Sequence, residues 1–433
     1  MLKIEYSTGV EPFIRAAIIL PEDRVRKIEL EFPDPSAYSL KINGRNSSVK
    51  LEKTLQINKR GKYLSFGHES SGSIRNISLQ PREESDSAFR IREVPAGRGF
   101  HWQKKIKVTL AGGGDFQVKN GFLLMVNELP LETYLKCVAV SEMSTSCPPA
   151  LLEAQTIVAR SWILANAEHK HSQYNAHVCN DDCCQRYQGI GNLSKEYLKR
   201  TDPTRGQVLT FQNQICDTRY SKSCGGKTES SINVWGVNQP YLISQPDLDV
   251  PIDSGDLSVE AQFLTWLNTP LEAFCGPGFV PEADLPDYLG TVDKKGQYFR
   301  WEVSYSYAEL GSLISRKLDL QISRIEKLLP LKRGDSGRLI KLEIKYKDNL
   351  GKLQKIKLKS EYEIRRVLHA SFLYSSAFAV INSKDRIILR GAGWGHGAGL
   401  CQIGALGMSL KKYETGDILK HYFPGTELKK IYK

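Results

Sequence analysis

The sequence contains no run of apolar residues long enough to cross a membrane. Its apolar run at 122–126 has the length of one strand, whereas a spanning helix needs about 20 apolar residues. The first residues also lack the apolar segment of a secretory signal, so we expect the protein to stay inside the cell or its chain to have been trimmed. Internal repeats and low-complexity tracts are missing as well, which excludes repeat architectures.

The cysteines are too scattered for a small protein stapled by disulfides. There are nine of them, and an odd number excludes complete pairing within the chain. At 433 residues the chain is long enough for two or three domains. Its 41% hydrophobic and 25% charged residues are typical of globular proteins.

A formal net charge of +12 predicts an anionic partner. Lys and Arg cluster at 313–366 and 411–433, although acidic residues are interleaved in both segments, as on an ordinary solvated surface. No nucleic-acid-binding module is recognisable, so we do not expect nucleic acid as the partner. A polyanionic cell wall, a membrane surface and an acidic glycan remain as candidates.

The distribution of strand and helix patterns predicts an α+β, mainly β fold. Residues 1–88 alternate short β-like runs with turn residues, which indicates a small N-terminal β domain. Residues 89–433 begin with further strands and include a β-rich subdomain around 296–381. From Ala150 a helix is apolar on nearly every side, and such a helix belongs inside a domain.

Glu142 is a lone carboxylate between the strand-like run at 138–140 and this buried helix. Two roles are open. It can accept a hydrogen bond from a backbone amide or pair with Arg160, since buried ions are normally paired. It can instead be a general acid, because partial burial raises the pKa of a carboxyl group and lets it hold a transferable proton.

A short segment combines one imidazole with three thiols, the ligands of a tetrahedral zinc site. These candidate ligands are His177, Cys179, Cys183 and Cys184. His169 and His171 are close enough in sequence to replace His177. A bridge between the adjacent Cys183 and Cys184 would be strained, which favours metal or other pairing. One disulfide with a spare thiol is the alternative.

Two glycine-containing segments are candidate ligand loops. In 220–229, Ser223 precedes a pair of glycines, and such a loop with nearby aromatics such as Tyr241 suits a sugar; an ordinary hairpin turn is the alternative. In 391–405, five glycines surround Trp394 and His396, ahead of a helix that starts near Gln402. The motifs of phosphate loops and of zincins are both missing there.

Several segments, taken in order, resemble the SpoIID/LytB family of sporulation lytic transglycosylases and amidase enhancers. They include Ser141-Glu142-Met143, Cys184-Gln-Arg-Tyr187, Ser223-Cys-Gly-Gly-Lys-Thr-Glu229, Val234-Trp-Gly236, Pro240-Tyr-Leu242, Gly393-Trp-Gly-His-Gly-Ala-Gly399 and His421-Tyr-Phe-Pro-Gly-Thr426. The resemblance runs from about Phe89 to the C-terminus. At Cys183 the family commonly has His, and at Lys222 a small hydroxylic residue is frequent.

The resemblance implies a peptidoglycan lytic transglycosylase. Glu142 matches the family's catalytic acid, which protonates the leaving oxygen and then takes the proton of the muramoyl 6-hydroxyl as a 1,6-anhydro ring closes. Ordinary glycosidases need two carboxylates, but here a hydroxyl of the substrate replaces water, so one is enough. The other implied partner is a cell-wall amidase.

We therefore expect an extracytoplasmic protein of the periplasm or cell wall that binds peptidoglycan glycan strands. It requires no cofactor and has a candidate structural zinc at 177–184. Arg160 is expected to support Glu142 in a substrate-binding cleft whose other residues are Ser223, Tyr241, Trp394, His396 and Gln402. The alternative is a non-catalytic peptidoglycan-binding activator of an amidase. A hydrolase using Cys184 or Cys401 is disfavoured, because neither lies in a nucleophile motif.

Overall fold

The computed structural model describes residues 9–66, 69–83, 87–99, 103–165, 169–194, 202–250, 255–289 and 296–433. The strands are β1 Phe13–Ile19, β2 Lys27–Glu31, β3 Tyr38–Ile42, β4 Arg45–Asn46, β5 Thr54–Arg60, β6 Tyr63–Phe66, β7 Glu69–Ile74, β8 Asn76–Pro81, β9 Ala88–Ala96, β10 Lys104–Ala111, β11 Gly113–Lys119, β12 Phe122–Pro130, β13 Val178–Cys179, β14 Gln207–Phe211, β15 Gln214–Ile215, β16 Tyr220–Ser221, β17 Arg300–Ser306, β18 Arg324–Arg333, β19 Leu339–Lys347, β20 Leu353–Leu358, β21 Phe378–Asn382, β22 Arg386–Ala392, β23 Leu400–Cys401 and β24 Glu427–Lys430. The α-helices are α1 Leu131–Glu142, α2 Pro149–Ala165, α3 Ser231–Trp235, α4 Glu260–Asn268, α5 Leu285–Tyr288, α6 Tyr307–Leu318, α7 Glu361–Val367, α8 Gln402–Leu410 and α9 Thr415–Tyr422. The predicted α+β, mainly β class is confirmed, and no helix in these ranges is long and apolar enough to cross a membrane.

Two mainly antiparallel sheets form the N-terminal part of the described structure. Their strand orders are β13-β1-β12-β11-β8-β3-β4 and β10-β9-β2-β5-β6-β7. Strand β9 pairs with β2, placing Ile91 opposite Leu30, and β11 pairs with β8. Side chains of both sheets fill one core. The domain boundary predicted at residue 88 therefore does not separate two packed units, because strands on either side of it complete the same sheets.

The run at 138–140 is helical, so the expectation of a strand there is wrong. It belongs to α1, whose buried residues Leu131, Tyr134, Leu135 and Val138 recur at the spacing of one helix face. Alanine and valine between these positions make the local pattern resemble a continuous apolar strand. The helix ends at Glu142, because the next residue, Met143, has extended backbone angles.

The buried helix predicted from Ala150 is α2. Most of its residues are buried, and it packs against α1, α8, α9 and β14. Hydroxyl groups on α2 donate to carbonyls one turn earlier: Thr156 to Leu152 at 2.7 Å and Ser161 to Ile157 at 2.8 Å. These bonds let a nearly all-buried helix carry polar residues without leaving them unpaired.

The β-rich segment predicted around 296–381 has a core of its own. Its sheets, β17-β22-β21 and β18-β19-β20, pack with α6 and α7 around Trp301, Leu342 and Phe378. The segment extends to Ala392, the last residue of β22, and the residues that follow, 393–399, form the glycine-rich loop. The glycine-rich loop therefore begins at the end of strand β22. Its Trp394 lies opposite Ser223, in the segment that follows β16.

Candidate functional site

Glu142 lies at the C-terminal end of α1 and is 7% exposed. Its Oε1 accepts hydrogen bonds from the backbone N–H of Arg186 at 3.1 Å and from the hydroxyl of Tyr220 at 3.2 Å. Lys222 Nζ donates to the carbonyl of Glu142 at 3.3 Å. Within the described residues, no group donates to Oε2. The carboxylate is therefore fixed through one oxygen.

Tyr220 connects Glu142 to the glycine-rich loop. Strand β16 pairs in parallel with β23, which places Tyr220 beside Leu400, just after the glycine-rich loop. Burial raises the pKa of the Tyr220 phenol well above its usual value, and the charge of Glu142 adds to this shift. The hydroxyl thus remains protonated and donates to the carboxylate.

The backbone that binds Glu142 is itself held by an ion pair. The Arg186 guanidinium contacts both oxygens of Asp182, at 2.9 Å and 3.3 Å, and its Nη1 lies 3.5 Å from the carbonyl of Ser141. Asp182 is the other carboxylate whose charge acts on Tyr220. The Asp182 carboxylate is bound by the Arg186 guanidinium, so its surroundings differ from those of Glu142.

Arg160 does not support Glu142, so that prediction is wrong. Its side chain is fully buried, and it binds Glu132 through Nε and Nη2 at 2.9 Å and 2.7 Å. The remaining Nη1 donates to the carbonyl of Gln207 at 2.9 Å. Glu132 lies in the first turn of α1, about 15 Å of helix before Glu142. With no exposed surface, Arg160 also does not reach a bound polysaccharide.

The glycine-rich loop presents Trp394 and His396, which are both partly exposed. Trp394 stacks on Tyr374 with ring centroids 4.3 Å apart. Its backbone exchanges two hydrogen bonds with Ser223, at 2.7 Å and 3.0 Å. A Cβ on Gly397, whose φ is +77°, would meet the guanidinium carbon of Arg338 at 2.3 Å. The loop therefore needs glycine where it presses on this buried arginine.

The other predicted lining residues are buried rather than presented to a ligand. Ser223 is 0%, Gln402 1% and Tyr241 6% exposed. Gln402 donates to Gln155 of α2 at 3.2 Å, and the Tyr241 hydroxyl accepts from the backbone of residue 217 at 2.9 Å. Of these three residues, only Ser223 is hydrogen-bonded to the glycine-rich loop, through the backbone of Trp394.

The imidazole of His396 is kept neutral. Desolvation lowers its pKa well below the usual value, and the positive charges of Arg365, Arg219 and Arg338 act in the same direction. Trp235 contacts the ring edge-on at 4.9 Å, and Nδ1 accepts from the backbone N–H of residue 398 at 3.1 Å. A neutral ring can accept a hydrogen bond through one nitrogen and donate one through the other.

Acidification is expected to destabilise the protein through His396. In the unfolded chain, His396 takes up a proton near pH 6.5, whereas in the folded chain its pKa is lower. The folded state therefore has its full stability above about pH 6.5 and loses part of it as the pH falls toward the pKa of the folded chain. The loss has a slope of up to about 1.4 kcal/mol per pH unit. The measurement is urea unfolding between about pH 7.5 and pH 5. His396→Gln should flatten the profile, and parallel profiles would contradict this assignment.

The three cysteines predicted to bind zinc lie together, but with His171 rather than with His177. Ligand atoms of His171, Cys179, Cys183 and Cys184 all lie within 4.8 Å of one another. The Sγ atoms of Cys179 and Cys183 are 3.1 Å apart, and Cys183 Sγ lies 3.8 Å from His171 Nε2. Three sulfurs and one nitrogen at this spacing fit tetrahedral zinc. The same short segment supplies Arg186, whose amide holds Glu142.

His177, the nitrogen ligand predicted from the sequence, does not belong to this cluster. Its Nδ1 accepts from the backbone N–H of Arg15 at 3.0 Å, because the segment entering β13 runs beside β1. We expect His171→Ala to lower zinc content, measured by elemental analysis, by about one equivalent per chain. His177→Ala should leave the zinc content unchanged. The reverse pattern would exclude His171 as the ligand.

Sequence reasoning missed Tyr220 and Arg186 as functional residues. Both lie inside segments that stand out for other reasons, one for its glycines and one for its cysteines. No local signal marks them, because their shared partner Glu142 is 44 residues from Arg186 and 78 from Tyr220. Only the packing of β16 and of the cysteine segment against the end of α1 reveals their role.

Comparison with known proteins finds two family matches. Residues 119–211 match SpoIID, described as "Stage II sporulation protein", and residues 229–399 match a domain of unknown function, DUF8618. The first match contains Glu142, Arg186 and the cysteine segment. The second contains the separate β-rich core together with Trp394 and His396.

Full-length comparisons give relatives of modest identity. The chain is similar to an uncharacterized protein of Brachyspira hyodysenteriae, 25% identical over 86% of this chain and 89% of that protein. It is 27% identical to the amidase enhancer of Bacillus subtilis over 68% of this chain, but spans only 40% of that protein. It is 24% identical to stage II sporulation protein D of Bacillus subtilis, over 70% of this chain and 75% of that protein.

Proposed function

Because the chain carries a domain of the SpoIID family, we propose that it acts on bacterial peptidoglycan as a lytic transglycosylase. The bond cleaved joins N-acetylmuramic acid to N-acetylglucosamine, and the product ends in a 1,6-anhydro ring. The observation that carries the proposal is the position of Glu142. One oxygen of its carboxylate is fixed by Arg186 and Tyr220, and the other accepts no hydrogen bond from a described residue.

One carboxylate performs both proton transfers in this reaction. Glu142 gives its proton to the glycosidic oxygen while the bond from C1 to that oxygen breaks. The 6-hydroxyl of the same muramoyl unit then bonds to C1, and its proton passes to Glu142. No water is consumed, and the enzyme returns to its starting state. A second carboxylate, which ordinary glycosidases need, is unnecessary because the nucleophile belongs to the substrate.

The surroundings of Glu142 support this role. The Tyr220 hydroxyl and the Arg186 amide stabilise the carboxylate that forms once the proton has left. Trp394 and His396 offer a partly exposed aromatic surface suited to a sugar face. The net charge of +12 suits an acidic cell-wall polymer, so we propose an extracytoplasmic location.

The reaction products test the proposal. Purified peptidoglycan glycan strands, with and without stem peptides, are incubated with the full chain and analysed by mass spectrometry. We expect new chain ends that carry the 1,6-anhydro ring, the mark of a reaction without water. Reducing ends would instead indicate an ordinary hydrolase, and unchanged strands would contradict catalysis.

A second function is favoured by the similarity to an amidase enhancer. In this alternative, the chain binds peptidoglycan and stimulates a partner amidase without cleaving glycan itself. The same incubation, repeated with a cell-wall amidase, separates the two. Release of stem peptides that rises with added protein, with no anhydro ends, supports the activator and contradicts the transglycosylase.

A further inference from the structure

A second cluster of cysteines lies in the interior, away from the segment at 171–184. Ligand atoms of Cys224, Asp247, Cys275 and Cys401 all lie within 4.8 Å of one another. All four side chains are buried, with exposures of 3% or less. We propose that these residues form a second zinc site. This inference does not depend on the proposed function.

The spacing of the ligand atoms fits one metal ion. A tetrahedral zinc with bonds of about 2.3 Å holds its ligands about 3.8 Å apart. Cys224 Sγ lies 3.7 Å from Cys275 Sγ and 3.1 Å from Asp247 Oδ2. An iron–sulfur cluster needs more room, since its cysteines bind separate iron atoms. Three thiolates and a carboxylate are ligands that zinc accepts.

Asp247 is oriented toward the thiols by its neighbours. Its Oδ1 accepts from the Tyr422 hydroxyl at 2.7 Å and contacts His421 Nε2 at 3.3 Å. This leaves Oδ2, the oxygen beside Cys224, directed at the centre of the cluster. Carboxylates that bind metals are typically held in this way by a second layer of hydrogen bonds. Gly404 has no side chain and so leaves room for this oxygen, because a Cβ there would lie 2.6 Å from Asp247 Oδ2.

Backbone amides point at the sulfur atoms. The N–H of Cys224 donates to Cys401 Sγ at 3.1 Å, and that of Gly404 donates to the same sulfur at 3.3 Å. Gly226 N–H donates to Cys224 Sγ at 3.4 Å. Hydrogen bonds of this kind stabilise thiolates, the form in which cysteine binds a metal.

A buried cation offsets part of the negative charge. Three thiolates and a carboxylate around a divalent ion leave a net negative charge inside the protein. Arg300 lies beside the cluster, where its Nη1 donates to the carbonyl of Gly225 at 2.9 Å. Its guanidinium is also in range of Cys275 and Cys224, whose charges counter the lowering of its pKa by burial.

The site would tie together four segments that are distant in sequence. Cys224 follows β16, Asp247 and Cys275 lie in loops, and Cys401 ends β23 and caps α8. All four ligand positions are filled by protein, as in structural zinc sites. The ion would therefore hold the loop of Ser223 and the helix of Gln402 in place under the glycine-rich loop.

Metal content of the full chain tests the proposal. We expect Cys275→Ser and Cys401→Ser each to hold about one zinc fewer per chain than wild type. Cys216→Ser is the matched control, since Cys216 is buried in the same core but outside the ligand set, and its zinc content should equal that of wild type. Equal zinc in wild type and Cys275→Ser would overturn the proposal.

Two further measurements test the proposal even if Cys275→Ser or Cys401→Ser does not fold. In Cys183→Ser, which removes a thiol of the first cluster, zinc left in that cluster could show only two sulfurs, whereas X-ray absorption of zinc in the second cluster should show three sulfurs and one lighter ligand. In wild type, peptide mapping after alkylation in denaturant with a chelator should find Cys224, Cys275 and Cys401 as thiols. A disulfide between any two of them, or a purified protein with free thiols and no zinc, would overturn the proposal.

Discussion

Glu142→Gln is expected to abolish the anhydro-ended products while the protein remains folded. Glutamine keeps an oxygen that can accept the hydrogen bonds of Arg186 and Tyr220, so the local packing is preserved. It cannot deliver a proton, and a positioned general acid contributes about 100-fold to 10,000-fold in rate. We expect a loss in that range, measured as anhydro ends formed per unit time on purified glycan strands.

Glu132→Gln is the matched control for this variant. It makes the same change on the same helix, but at the partner of Arg160 rather than at the site. It should lower the midpoint of urea unfolding, while the fraction that remains folded keeps its activity. If Glu142→Gln cleaves glycan strands at the wild-type rate, Glu142 is not the acid. If it also stimulates an amidase like wild type, the chain is an activator.

Arg160→Met is expected to cause a large loss of stability. Arg160 and Glu132 form a fully buried pair, and Glu132 also accepts from the Tyr432 hydroxyl at 2.5 Å and from Gly206 N–H at 3.2 Å. Removing one partner of a buried ion pair costs about 3–5 kcal/mol, because the other charge is left uncompensated. The free energy of unfolding, measured by urea titration, should fall by that amount.

The double variant Glu132→Leu, Arg160→Met tells whether the loss of stability comes from the unpaired charge of Glu132 or from the lost packing of Arg160. Replacing both members of a buried pair by apolar residues is often neutral, so the double variant should recover most of the stability lost in Arg160→Met. A double variant as unstable as the single one would show that packing volume, rather than the unpaired carboxylate of Glu132, accounts for the loss.

The fold class and most elements follow from local patterns in the sequence. Helix α2 is predictable because apolar residues cover nearly all of its faces, and β1 because apolar residues dominate 16–20. The end of helix α1 reads as a strand, since Val138 and its neighbours are apolar whichever period is assumed. That strands before and after residue 88 share the same sheets could not be predicted, because this depends on which strands pair across long loops.

The candidate site is predictable where a motif carries its own chemistry. The family resemblance points to Glu142 and the glycine-rich loop from their motifs alone, and the SpoIID match over 119–211 covers Glu142 but not the loop. It does not give the partners of Glu142 or Arg160. An arginine and a carboxylate that are close in sequence make a plausible pair, but the first turn of α1 brings Glu132 to Arg160 instead.

The metal clusters show the same limit of sequence reasoning. Three thiols within 179–184 indicate a site, yet the choice among three nearby histidines is decided by the strand register that engages His177. The cluster around Asp247 has ligands from four separate segments, so no spacing in the sequence could indicate it. Such sites become visible only when the loops are placed in space.

Strand β1 has a consequence for the order of events on the ribosome. It leaves the exit tunnel before either of its neighbours in the sheet, β12 and β13. The emerging chain must therefore keep residues 13–19 unpaired until 122–130 and then 178–179 have been translated. During that interval an apolar strand with two open edges is available to wrong partners. Nascent molecules of this protein are expected to depend on a holding chaperone.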